Sequence, residues 1–93
     1  PWSLDTIPLL ISEEDWEKTA QGLRQRAVLL NMVLKDLYGK RELIKQGLLP
    51  LELIYSHSCF LRPCDQLYND KKYALHFYAA DTAKTADGRR WVL

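Results

Sequence analysis

The stretch Ser12–Gly39, "SEEDWEKTAQGLRQRAVLLNMVLKDLYG", decides the fold, because its apolar residues recur with a helical period. Trp16, Ala20, Leu23, Ala27, Leu30, Leu34 and Leu37 step by 4, 3, 4, 3, 4 and 3, which sets seven apolar side chains on one stripe. Val28, Met32 and Val33 widen the stripe, so this long amphipathic helix is expected to be covered on more than one side. Ser12 is a good N-cap, and Asp15 at the third helical position makes a variant of the capping box. Glu13, Glu14 and Asp15 also suit the positive end of the helix dipole. Gly22 is a soft spot, costing about 1 kcal/mol relative to Ala in a helix interior. Gly39 is the natural stop, able to take the left-handed conformation just past the last turn.

Upstream, residues 4–11 are apolar, with Asp5, Thr6 and Pro8 interspersed. Pro8 has no N–H to give to a ladder, so this segment reads as extended or as an edge strand. Downstream, a shorter helix is predicted over Lys40–Gln46, stopped by Gly47, and a third helical piece over Pro50–Ile54. "YSHSCFLRP", Tyr55–Pro63, reads as a loop with a short extended piece, and "NDKK", residues 69–72, as a polar turn. Tyr73–Ala80 is rich in aromatics and strand-like; Asp87-Gly88 signals a hairpin turn, with Arg89–Leu93 as the return strand. Helices first and strands last define a single α+β domain over residues 1–93. A lone two-stranded hairpin is marginal in water. Either the extended segment near Ile7 completes the sheet, or its missing partner lies beyond residue 93.

The chain has 93 residues, 47% apolar and 27% charged, with a net charge of +1. That is the composition of one soluble globular domain. Thirteen basic residues against 12 acidic ones, with the basic pairs dispersed, argue against a nucleic-acid or membrane footprint. No apolar run approaches the roughly 20 residues needed to span a bilayer. The start, Pro1-Trp2-Ser3, lacks the pattern of a secretory leader and lacks an initiating Met, so residues before Pro1 are expected to have been removed or left out. Two cysteines make no disulfide framework, and a reducing cytoplasm is the simplest expectation.

Several residue sets carry possible chemistry. His57, Cys59, Cys64 and His76 are soft ligands that suit zinc, but their spacing matches no standard finger or knuckle, and packed thiols with loop histidines are the bland alternative. Cys59 and Cys64 are separated as C-x-x-x-x-C, so two reduced thiols are expected rather than a redox pair. Cys59 beside His57 has the elements of a thiolate and its base, with no third group to orient them. Arg24, Arg26, Lys35, Arg41 and Lys45 read as a solvated helix face, Arg24 and Arg26 flanking the apolar seam where they can pair with acids. Asp81, at the end of an aromatic segment, either caps a turn or serves as a Mg²⁺ ligand, since nucleotide enzymes hold that ion through one or two carboxylates and phosphate oxygens. Arg62, on the stiff loop Phe60-Leu61-Arg62-Pro63, is a candidate for an anionic substrate or phosphate, with a structural ion pair as the alternative. None of the four glycines belongs to a Gly-rich phosphate loop.

The order of these pieces resembles the N-terminal part of the circularly permuted ATP-grasp proteins over nearly the whole chain. The resemblance is carried by Gly22-Leu23-Arg24-Gln25-Arg26-Ala27 with Leu29-Leu30-Asn31, by Asp36-Leu37-Tyr38-Gly39, by Phe60-Leu61-Arg62-Pro63, and by Ala80-Asp81 with Asp87-Gly88 and Trp91-Val92-Leu93. It implies a ligase similar to glutathionylspermidine synthases, joining a carboxylate to an amine through an acyl-phosphate with ATP and Mg²⁺. It implies that Asp81 is a metal ligand, whose companions and nucleotide loops lie past Leu93. Relatives of that kind carry an Arg two residues before this Asp, and Ala79 stands there instead. The expected partners are therefore the remainder of an ATP-grasp polypeptide and a small-molecule or peptide substrate, the isolated 93-residue piece being inactive. The competing reading is a stand-alone interaction module, in which the heptad-like helix Trp16–Leu37 pairs with a partner helix or with itself through exposed apolar surface.

Overall fold

In the computed structural model, which describes residues 1–67 and 71–93, the elements run α1 (Glu13–Leu37), α2 (Glu42–Lys45), α3 (Leu51–Tyr55), a 3-10 turn (Arg62–Cys64), β1 (Thr82–Lys84) and β2 (Arg90–Val92). The body is mostly helical and ends in one two-stranded antiparallel sheet, in the helices-then-strands order expected. The polar turn expected at residues 69–72 falls partly outside the described residues.

α1 begins as read. Ser12 is extended, with φ −67° and ψ 154°, and its Oγ accepts the Asp15 N–H at 3.2 Å. The helix ends at Leu37, two residues before Gly39, and the left-handed residue of the connection is Arg41, with φ 58°. The reason lies in Asp36. Its carboxylate accepts the N–H groups of Glu42 at 2.9 Å and Leu43 at 3.0 Å, so the last turn of α1 caps the first turn of α2. Folding the chain back that sharply needs one left-handed residue. At a non-glycine this costs about 1–2 kcal/mol, offset here by the ion pair of Arg41 with Asp65 at 2.6 Å and by Arg41 Nε donating to the Leu37 carbonyl at 3.3 Å.

Gly47 stops α2 as predicted. With φ at 70° it closes a Schellman motif, in which the Leu48 N–H reaches the Leu43 carbonyl at 2.9 Å and the Gly47 N–H the Ile44 carbonyl at 3.0 Å. α3 then starts from Pro50, which stands at the cap rather than inside the first turn. Beyond α3 an aromatic cluster ties the loop back to α1. Tyr38 stacks on Phe60 with ring centres 4.9 Å apart, Tyr55 meets Phe60 edge-on at 5.3 Å, and the Tyr38 hydroxyl accepts the Leu61 N–H at 3.0 Å.

The strand expected over Tyr73–Ala80 does not form. Its backbone donors at Ala74 and Leu75 go instead to the Asn31 side-chain oxygen in the middle of α1, at 2.8 and 3.0 Å. Strand-prone residues make a strand only beside a ladder partner, and no neighbouring strand lies there among the described residues. The segment is instead an extended strap laid on the helix, with Ala74 buried beneath it.

The hairpin follows at once, with Thr82 opposite Val92, Ala83 opposite Trp91 and Lys84 opposite Arg90. The Gly88 N–H returns to the Thr85 carbonyl at 2.9 Å and Gly88 takes φ 83°, the conformation that makes Asp-Gly a turn signal. Among the described residues the sheet gains no third strand, so the segment near Ile7 does not complete it. That segment stands clear of the body, with Trp2 87% and Leu9 88% exposed.

The stripe on α1 is likewise only partly covered. Ala20 and Leu37 are buried, but Trp16, Val28, Leu29 and Met32 are more than half exposed. The accessible surface is 8276 Å², against about 5,600 Å² for a compact monomer of 10.9 kDa. The radius of gyration is 17.9 Å, against about 12 Å for a compact domain of this length. The chain therefore shows water about 2,700 Å² more surface than a closed domain of its mass.

Candidate functional site

Asp81 is the residue immediately before β1. Its carbonyl accepts the Leu93 N–H at 2.9 Å, which closes the open end of the hairpin and fixes the backbone that carries the carboxylate. The carboxylate itself is exposed and makes no hydrogen bond or ion pair among the described residues. It does not cap a turn; that task falls to Asp87, which accepts the Arg89 N–H at 3.1 Å and bonds the Thr85 hydroxyl. Those bonds, the hydroxyl's first and then the Arg89 N–H, hold the Asp87 carboxyl below the usual carboxylate range.

Arg62 sits on the 3-10 turn, its guanidinium 4.8 Å from the centre of the Tyr55 ring. It makes no ion pair among the described residues, and the ion pair of this region is Arg41–Asp65. The two His and two Cys do not converge. His57 Nδ1 accepts the Cys59 N–H at 3.2 Å, an Asx-turn-like closure that spends the imidazole on backbone rather than on a thiol. His57 and Cys59 line an apolar groove beside Leu37 and Phe60, whereas His76 lines a different one beside Val28 and Phe77. Both cysteines are free. Among the described residues no three His, Cys, Asp or Glu side chains stand close enough to hold a metal ion.

A groove also lies where the sequence reading had placed only a solvated face. One side of the hairpin, with Thr82, Lys84, Arg90 and Val92 pointing the same way, faces the first half of α1 across a groove of about 230 Å³. Lys84 Nζ reaches Asp15 at 2.7 Å and joins the two walls. The hydrogen bond from Lys84 and then its charge, with Arg90 and Lys18 adding theirs, hold the Asp15 carboxyl below its ordinary value. Of the two arginines read as flanking the apolar seam, Arg24 pairs with Glu17 at 3.4 Å, while Arg26 lines this groove and makes no ion pair among the described residues. The legible signal was the alternation of Thr82, Lys84, Arg90 and Val92 across an Asp-Gly turn, which puts all four on one face.

A helical body thus leads into an antiparallel hairpin, with Asp81 exposed at the hairpin's entrance. The chain belongs to the circularly permuted ATP-grasp type 2 family, whose profile matches residues 8–93. It is 39% identical over 88 residues to an uncharacterised protein of Mycobacterium tuberculosis, covering 95% of this chain and 10% of that protein. It is 34% identical over 90 residues to an uncharacterised protein of Synechocystis, covering 97% of this chain and 19% of that protein. The chain thus spans about a tenth to a fifth of the length of these relatives. No solved structure matches it significantly. Among the described residues no helix is long and apolar enough to cross a membrane.

Proposed function

We propose that this chain is the N-terminal part of an ATP-dependent ligase that joins a carboxylate to an amine in a peptide-like bond, in the manner of glutathionylspermidine synthases. Family membership supplies the nucleotide class. The observation that carries the reading is Asp81, an exposed carboxylate with no hydrogen-bond or ion-pair partner among the described residues, held at the mouth of a hairpin whose backbone is closed by Leu93. A Mg²⁺ bound with a nucleotide takes one or two carboxylates plus phosphate oxygens. In this reading Asp81 supplies one such ligand, and the others come from elsewhere in the polypeptide. The remainder of an ATP-grasp polypeptide is the natural partner of the surplus exposed surface, and it brings the other ligands. Arg62, which makes no ion pair among the described residues and stands over the Tyr55 ring, is a secondary candidate for an anionic substrate. Two free thiols fit a cytoplasmic setting.

The test is ATP turnover by the full-length polypeptide, screened against amino acids and polyamines. Asp81→Asn is expected to lower kcat by more than about tenfold, the scale of loss for groups supporting a metal, while far-UV circular dichroism stays unchanged. Unaltered turnover in that variant removes Asp81 from the metal site. The isolated 93-residue chain is expected to bind Mg-ATP without the tight, Mg²⁺-dependent affinity of a complete site.

A second reading has its own support. The same exposed Trp16, Val28, Leu29 and Met32 are what a helical interaction module would present to a partner helix. Concentration-dependent self-association of the chain, abolished by Met32→Glu and accompanied by no ATP turnover in the longer polypeptide, favours that module.

A further inference from the structure

We infer that the groove between α1 and the hairpin binds a single phosphate or carboxylate group, held between the guanidinium groups of Arg26 and Arg90 above Gly22. Arg24, Arg41 and Arg89 each pair with a carboxylate. Among the described residues Arg26 and Arg90 do not, and both line this one groove, Arg26 from α1 and Arg90 from β2. Lys18 and Lys84 line it too, but their ammonium groups are engaged by Glu14 and Asp15, each at 2.7 Å. They add positive field, and the two arginines offer the free donors. Asp15 is the single acid on the groove, and Lys84 already neutralises it. A planar guanidinium fork matches the paired oxygens of phosphate and carboxylate alike.

Gly22 gives the second line of argument. A glycine weakens the middle of a helix, and close packing is the usual reason to keep one. Here a Cβ would meet no atom within 4 Å, so packing against the chain does not explain it. What the missing side chain leaves is open space at a residue that lines the groove. At about 230 Å³ the groove is smaller than the roughly 300–1,000 Å³ of a pocket that encloses a whole cofactor. It fits one anionic group of a ligand, not a nucleotide. The pleat turns Asp81 to the face of the strand opposite Thr82 and the groove, so the inference does not rest on the proposed metal role.

The experiment is a titration of the 93-residue chain with inorganic phosphate and, separately, with glutarate, followed through the ¹H–¹⁵N shifts of Gly22, Arg90 and Trp91. Saturable shifts at these amides are expected with at least one probe; phosphate alone points to a phosphoryl group, glutarate alone to a carboxylate. Arg26→Gln and Arg90→Gln are expected to weaken binding about tenfold each, and Gly22→Ala at least as much, with the helical signal retained. Arg89→Gln, whose guanidinium pairs with Asp87 outside the groove, is the charge control and is expected to bind as wild type. The inference is overturned if neither probe gives saturable shifts, if Arg89→Gln weakens binding as much as Arg90→Gln, or if Gly22→Ala binds normally.

Discussion

Replacing Asn31 with Ala tests how the strap is held. The Asn31 side-chain oxygen accepts two backbone N–H groups, from Ala74 at 2.8 Å and Leu75 at 3.0 Å, residues more than forty positions away in sequence. Both bonds are partly buried, and Ala74 is 4% exposed. A protein hydrogen bond contributes about 1 kcal/mol net, and an orphaned donor loses about as much or more. Asn31→Ala therefore removes about 2 kcal/mol from the docking of residues 71–80. At 1.4 kcal/mol per factor of ten, that opens the strap about 30-fold more often. Amide hydrogen exchange reads this directly: protection at Ala74 and Leu75 is expected to fall about 30-fold, while the amides of Leu30 and Leu34 inside α1 keep theirs. Asn31→Asp keeps an acceptor oxygen in place and is expected to preserve most of the protection. If Asn31→Ala leaves both amides as protected as before, the strap is held by Ala74 packing and the hydrogen-bond reasoning fails. The consequence reaches the candidate site, because the strap delivers the chain to Asp81. Loosening it is expected to lower turnover in the longer polypeptide even though Asn31 touches no ligand.

Asp36→Ala removes both acceptors that cap α2 and is expected to cost about 1–2 kcal/mol, read as a lower urea midpoint with unchanged slope; Asp36→Asn recovers part of it. Gly22→Ala raises stability by up to about 1 kcal/mol, because the position is helical and a Cβ there has open space; a fall in the thermal midpoint would contradict the geometry. The Asp15–Lys84 link makes the hairpin's docking acid-sensitive. The folded-state pKa of Asp15 is lowered, so its contribution is present above the unfolded carboxylate value of about 4 and is lost as pH falls through the folded value. Carboxyl ¹³C shifts are expected to show Asp15 titrating below an ordinary Asp, and Lys84→Met to return it upward.

The helix starts and stops were legible wherever a local rule fixes them. Ser12 caps α1, Gly47 closes a Schellman turn, and Gly88 turns the hairpin, each through contacts within a few residues. The misreadings are all non-local. Gly39 was the expected left-handed residue, yet Arg41 takes that conformation because the Asp36 carboxylate reaches forward to cap α2. Tyr73–Ala80 has strand composition, yet a side chain from mid-α1 captures its donors. The candidate site divided in the same way. Asp81 is singled out by the family resemblance rather than by its position beside a turn, whereas the placing of Arg26 and Arg90 on one groove depends on how the hairpin lies against α1, which no spacing encodes.

Polar side-chain anchors, rather than a closed apolar core, set the path of this chain. Four side-chain acceptors do most of the positioning: Ser12 starts α1, Asp36 starts α2, Asn31 holds the strap, and the Tyr38 hydroxyl holds the loop at Leu61. Each fixes geometry without needing much buried area. The apolar residues behave differently, since among the described residues four of them are buried and many large ones stay exposed along α1 and the first eleven residues. At roughly 25 cal/mol per Å² of apolar surface, such a chain keeps in hand a large gain that it realises only when something covers it. Truncating an exposed Leu29 should therefore barely change the stability of the chain alone, while truncating Leu37 beneath the aromatic cluster should cost about 2–5 kcal/mol. In the longer polypeptide the Leu29 substitution should become costly as well. That context dependence separates surface reserved for a covering partner from surface that is merely solvated.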